Sequence, residues 1–110
     1  MRDRKIERTR PEYNMRPSQA LTANRSAIRK VTLAHRTANA RVFGSVVHRT
    51  DTEESDLDIL VDPTPDTTLF DIAAIRFKLR NLLGVQVDVL TPNALPERIR
   101  QKVLSEAEPV

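Results

Sequence analysis

Asp56 and Asp58 stand two residues apart at the head of the apolar run "DLDILV", and they are the residues whose type and spacing best suit chemistry. In a strand, side chains at i and i+2 leave the same face, here roughly 6 to 7 Å apart. Asp88 occupies the middle of a second apolar run, "VQVDVL", on the side opposite its valines. If the two runs pair, three carboxylates converge on one place. Charges of one sign held that close repel unless a cation neutralises them. The chain has no cysteine, so the donors are all oxygen and the fitting ion is a hard one, Mg²⁺ or Mn²⁺. Three carboxylates can hold two such ions at about 3.5 to 4 Å, the spacing used in phosphoryl and nucleotidyl transfer.

Gly44 and Ser45 supply what metals do not. A glycine lets backbone approach a phosphate closely, and the serine N–H and hydroxyl can both donate to phosphate oxygens. A helix starting just after the pair would add a favourable dipole. Taken singly, a Gly-Ser pair is an ordinary turn and an Asp-x-Asp a solvated strand edge. The combination is what points to a phosphate-handling site.

The elements that must hold these residues follow from periodicity. A helix is predicted from Pro17 and Ser18, with Ser18 as N-cap and a stripe of Leu21, Ile28, Val31 and Ala34 that Asn24 interrupts. "ARVF", Ala40 to Phe43, reads as a short strand ending at Gly44, followed by a polar loop from Val46 to Ser55. Leu57, Ile59 and Val61 alternate with Asp56, Asp58 and Leu60 in a second strand, which Pro63 and Pro65 end. Asp66, Thr67 or Thr68 can cap the next helix, which carries Leu69, Ile72, Ile75, Leu79, Leu82 and Leu83 and stops at Gly84. Val85, Val87 and Val89 mark a third strand, and Leu95, Ile99, Val103 and Leu104 a last helix from Ala94 to Glu106. The fold class is α/β (α+β), a small mixed sheet of about three strands flanked by helices, in the order α-β-β-α-β-α.

Composition bounds what surrounds this core. The chain has 110 residues, 39% of them hydrophobic and only 4% aromatic, so one modest core must be built from Leu, Ile, Val and Ala. No apolar run reaches the roughly 20 residues of a membrane span, and no secretory signal is visible, which places the chain in the cytoplasm. The net charge of +3 is uneven. Arg2, Arg4, Lys5, Arg8, Arg10 and Arg16 crowd residues 1–16, which read as a basic, solvated or disordered extension; residues 17–110 form the domain. With no aromatic interleaving beyond Tyr13, nucleic acid is not the expected ligand. Arg76, Lys78 and Arg80 read as a solvated helix face, and His48 as a surface histidine.

Gly44-Ser45, ten residues, Asp56-Leu57-Asp58 and then Asp88 some thirty residues later resemble the signature of the DNA polymerase beta-like nucleotidyltransferase superfamily. The stretches "RVFGS", "TEESDLDILVD", "LFDIA", "VDVLTP" and "RIRQKVLSEA" are most similar to its minimal members, antitoxins that act beside a HEPN-domain toxin. The resemblance implies ATP as substrate, held by Gly44 and Ser45, and two Mg²⁺ (or Mn²⁺) ions bound by Asp56, Asp58 and Asp88. Asp88 would also activate the acceptor hydroxyl. It further implies a hetero-oligomer with the toxin, a presumptive RNase that becomes adenylylated on a tyrosine. Relatives often follow the Gly-Ser with a small residue, an arginine and a glycine. Here Val47, His48 and Arg49 stand in those places, so His48 replaces the arginine or Arg49 takes over by a shift of the turn. Two other readings remain: an antitoxin that neutralises by contact alone, and a transferase acting on a small molecule such as an aminoglycoside.

Overall fold

Helix α1, Pro17–Ala34, starts on a proline whose fixed φ and missing N–H suit the first helical position. The computed structural model describes residues 15–110, so most of the basic extension lies outside the described residues. Ser18 was expected as the N-cap, but Pro17 has already entered the helix and Arg16 is the cap. Gln19 Oε1 accepts from the Arg16 backbone N–H at 2.9 Å, and the Ser18 N–H instead donates to Asp51 Oδ2 at 2.9 Å. Asn24 leaves the helical region (φ −136°, ψ 23°), which kinks α1 where its apolar stripe breaks. Its Nδ2 donates to the carbonyl of Ala20 at 2.9 Å. Leu21 and Ile28 are buried and Val31 packs at the core's edge, while Ala34 is exposed.

Strand β1, Thr37–Phe43, begins three residues before the expected Ala40. Asn39 takes a positive φ of 56° and the pairing register slips between Ala38 and Arg41, a bulge that hides the alternation in the sequence. Strand β2, Leu57–Pro63, runs antiparallel to β1, and β3, Val87–Leu90, runs parallel to β2. The connection between β2 and β3 is helix α2, Leu69–Leu83. Thr68 caps it: its Oγ1 accepts from the Asp71 N–H at 3.2 Å, and the Asp71 carboxylate accepts from the Thr68 N–H at 2.8 Å. The bond from the Thr68 N–H is the largest cause that holds the Asp71 carboxyl below its ordinary pKa. Gly84, in the left-handed region at φ 70°, ends α2 as expected of that glycine.

The C-terminal part departs from expectation. Pro96 forces Leu95 into extended backbone (ψ 140°), so the last helix, expected from Ala94, is the shorter α3, Glu97–Glu106, and a 3₁₀ turn, Pro92–Ala94, precedes it. Leu95 is buried ahead of α3, whose Ile99, Val103 and Leu104 are only half-buried. A fourth strand, β4, Glu108–Pro109, then pairs antiparallel with β1, giving the sheet order β3-β2-β1-β4 rather than about three strands.

Register sorts the sheet into two faces. Val42, Ile59 and Val89 form one cross-strand row, with Leu57 and Val87 on the same side. These residues are buried against Ala20, Leu21 and Ile28 of α1 and Ile75, Leu79 and Leu83 of α2. Each full burial of such a side chain stabilises by about 1.5 to 3 kcal/mol. Phe43, Asp58 and Asp88 form the next row and face the other way. Leu60, on that second face, is fully buried as well, and β2 there touches the 3₁₀ turn. No helix among the described residues is long and apolar enough to cross a membrane.

Candidate active site

Strand pairing makes Asp58 and Asp88 direct neighbours on the second face of the sheet, about 4.8 Å apart along the hydrogen-bonding direction. Both are half-buried, whereas Asp56 is exposed in the segment just before β2. Leu57 and Ile59 are fully buried on the opposite side of β2, which fixes the strand and therefore the direction of Asp58. Burial, followed by the charges of Asp56 and Asp88, pushes the Asp58 carboxyl up from 3.8 to about 6. The three carboxylates thus share one field.

They do not form a ready-made cage. Among the described residues, no three His, Cys, Asp or Glu side chains are gathered closely enough to hold an ion together. Mutual repulsion favours that spread. The chemistry of the donors still fits a hard divalent cation: they are oxygen only, two are adjacent by register, and their repulsion is uncompensated.

The glycine sits against this cluster. Phe43 pairs with Asp58, so Gly44 follows directly beside the carboxylate, at φ +78°. The left-handed backbone favours glycine, and a Cβ there would also overlap Asp58 Oδ2, so any other residue would have to displace that carboxylate. From Gly44 to Arg49 the chain makes a hydrogen-bonded turn rather than a helix, so a helix dipole after the Gly-Ser pair is absent from the described site. The Gly44 carbonyl accepts from His48 N–H at 3.1 Å, and the Ser45 carbonyl from Thr50 N–H at 3.0 Å. These bonds use the carbonyls, and Ser45, directly after Gly44, is half-exposed.

The turn also shows what became of "VVHR". Val46 and Val47 pack against the core. His48 Nε2 lies 2.8 Å from Glu106 Oε1, which ties the turn to α3 and turns the imidazole towards that helix. Arg49, with φ 60°, lines a 230 Å³ pocket with Arg16, Ser18, Val46 and Asp51 beside the start of α1.

Two polar features escaped the sequence reading. Asp51 caps α1 from the loop, a contact spanning 33 residues that no local pattern signals. Asp62 accepts from Arg41 Nη2 at 2.6 Å and Asn39 Nδ2 at 2.9 Å. It lies four residues beyond Asp58 on the same strand face, so the alternation that singled out Asp58 could have found it.

Known proteins share this fold. Residues 27–110 match the family model described as "Polymerase beta, Nucleotidyltransferase". A relative from Methanocaldococcus jannaschii, named "Putative protein adenylyltransferase", is 35% identical over 77 residues, covering 70% of this chain and 83% of its own. A solved "putative minimal nucleotidyltransferase" superposes with a TM-score of 0.76 at 40% identity, over 84% of this chain and 95% of that one. A toxin-antitoxin structure with AMP-PNP gives a TM-score of 0.67 at 22% identity, over 78% of this chain and 71% of the other, a likeness of fold alone. Carboxylates in register on β2 and β3, a glycine seated against one of them, and a match over most of the chain lead to one conclusion: this chain belongs to the polymerase beta nucleotidyltransferase family.

Proposed function

We propose that this nucleotidyltransferase moves AMP from ATP to a hydroxyl on a partner protein, and that the partner is a HEPN-domain RNase toxin silenced by the modification. The observation that carries the reading is the pairing of Asp58 with Asp88, with Gly44 seated against the Asp58 carboxylate. The name of the Methanocaldococcus jannaschii relative supports protein as the acceptor class, and the toxin-antitoxin structure with AMP-PNP, which contains a similarly folded chain, supports the nucleotide. Because ATP is the donor, the reaction belongs in the cytoplasm.

In this reading Gly44 leaves room for the triphosphate, and the Ser45 N–H and hydroxyl donate to its oxygens. Asp56, Asp58 and Asp88 would hold Mg²⁺, two ions by family resemblance, supplying positive charge against the triphosphate and the acceptor oxygen. Asp88 takes the proton of the acceptor hydroxyl. The hydroxyl oxygen then bonds to the α-phosphorus, the bond from that phosphorus to the bridging oxygen breaks, and pyrophosphate leaves. The product is a phosphodiester on the acceptor, a tyrosine in the toxin by resemblance, whose bulk and negative charge oppose RNA phosphate.

The turn favours a second reading. His48, one of the two residues that by resemblance could take the place of an arginine, is drawn to Glu106 and so faces α3. An antitoxin acting by contact alone would tolerate that change. Incubation with α-labelled ATP, Mg²⁺ and the neighbouring gene product separates the two. Label on the partner that vanishes with Asp56→Ala and Asp58→Ala is the expected result. Neutralisation that survives both substitutions, without label, replaces catalysis with binding.

A further inference from the structure

We propose that the outer face of α2 is a two-fold interface with a second copy of this chain, centred on Phe70 and Phe77. The inference does not depend on the transfer chemistry. These side chains are 87% and 66% exposed, although the chain has only four aromatic residues in all. They are seven residues apart, two helical turns, and so share one side of α2, with Ala73 and Ala74 between them. Ile75, Leu79 and Leu83 occupy the opposite side and are buried against β3 and α1. A helix apolar on both sides is suited to burial on both.

The size is appropriate for the middle of an interface. Two aromatic side chains bury about 300 to 500 Å² together, against about 800 Å² per partner in an interface of standard size. Leu69, 86% exposed at the end of the same helix, extends the apolar surface.

A second copy is the occupant because the pattern complements itself when reversed. A two-fold axis passing between Ala73 and Ala74 runs the two α2 helices antiparallel and sets Phe70 of each against Phe77 of the other. The alanines in the middle let the helix axes approach. The phenylalanine pairing carries this symmetry, because the Asp71 carboxylate is engaged within its own chain by Thr68 and His35. A partner of different sequence would require no such symmetry. Asp58 and Asp88 lie on the sheet face opposite α2, so this dimer leaves both active sites open.

Light scattering after gel filtration of the full chain at micromolar concentration should give twice the chain mass. Phe70→Glu with Phe77→Glu should halve that mass and leave the circular dichroism spectrum unchanged, since neither side chain is in the core. The absence of native cysteine allows a second measurement, which also decides the matter if the double variant does not fold. Ala73→Cys should form an intermolecular disulfide on mild oxidation, and Lys102→Cys on α3 should not. A wild-type chain of single mass, a double variant that remains a dimer, or equal cross-linking at both cysteines overturns the proposal. Single mass would reassign the face to residues 1–14 or to a different protein.

Discussion

Two neighbouring rows of the same sheet behave in opposite ways. Val42, Ile59 and Val89 lie side by side across three strands and are buried, and they stabilise the fold wherever they touch α1 and α2. One residue along, Phe43, Asp58 and Asp88 occupy the same three strands on the other face, and there two carboxylates are held in repulsion. The backbone is shared and only the parity differs. The first row gains free energy on folding and the second costs some, so the acidic row rests on a strand that its other face secures. Substitution should separate the two roles. Asp58→Ala is expected to lower label transfer by about 10³-fold or more, about 4 kcal/mol of barrier, with no loss of urea stability. Ile59→Ala should cost about 3 kcal/mol in urea unfolding through the cavity it leaves, while the folded fraction keeps transfer within a few-fold. If Asp58→Ala unfolded as readily as Ile59→Ala, the acidic row would be structural and the contrast would fail.

Gly44 is where the acidic row meets the turn. An alanine there must hold a left-handed backbone and place its Cβ on Asp58 Oδ2. The backbone term is about 1 to 2 kcal/mol, and the overlap adds to it, so Gly44→Ala should lose about 2 kcal/mol in urea unfolding. Only the overlap depends on Asp58. Combining Gly44→Ala with Asp58→Ala should therefore cost less than the sum of the single effects, a coupling that a double-mutant cycle reads directly. Simple additivity would show that the carboxylate can swing away and that Gly44 serves the backbone alone.

What the sequence discloses follows the range of the interaction. Helix α2 is legible because its signals are local: Thr68 and Asp71 at one end, Gly84 at the other, and an apolar stripe between. The directions of Asp58 and Asp88 follow from a period of two. Contacts over long sequence separation are hidden. Asp51 caps α1 from 33 residues away, and β4 has too few residues for any period, its pairing depending on the edge that β1 offers. Leu60 alternates with buried residues and so reads as outward, yet it is fully buried on that face. Pro96 was visible, and its effect on the last helix could have been read from the restriction that a proline imposes on the residue before it. Spacing also could not say how far the carboxylates draw together, because that depends on balancing charge rather than on strand geometry.

That charge balance makes the smallest effect also the most diagnostic one. With metal chelated, Asp58 keeps its proton up to about pH 6 in the folded chain, but only to its ordinary value of 3.8 when unfolded. Below the lower value both states are protonated and Asp58 costs nothing. Between the two values the folded state holds the proton that the unfolded state releases, so stability falls as pH rises, and above about 6 the whole penalty is present. The separation of the two values sets a ceiling of about 3 kcal/mol, which solvent screening of a half-exposed group reduces to about 1 kcal/mol. Asp58→Asn removes the charge, so it should raise the urea stability of the chelated protein by about that amount at pH 7.5 and leave it unchanged at pH 3.5. Adding Mg²⁺ should stabilise the wild type and narrow the gap, because a bound cation relieves the repulsion that the amide no longer has. An Asn variant no more stable than wild type at pH 7.5, with chelator present, would mean that the acidic row costs the fold nothing.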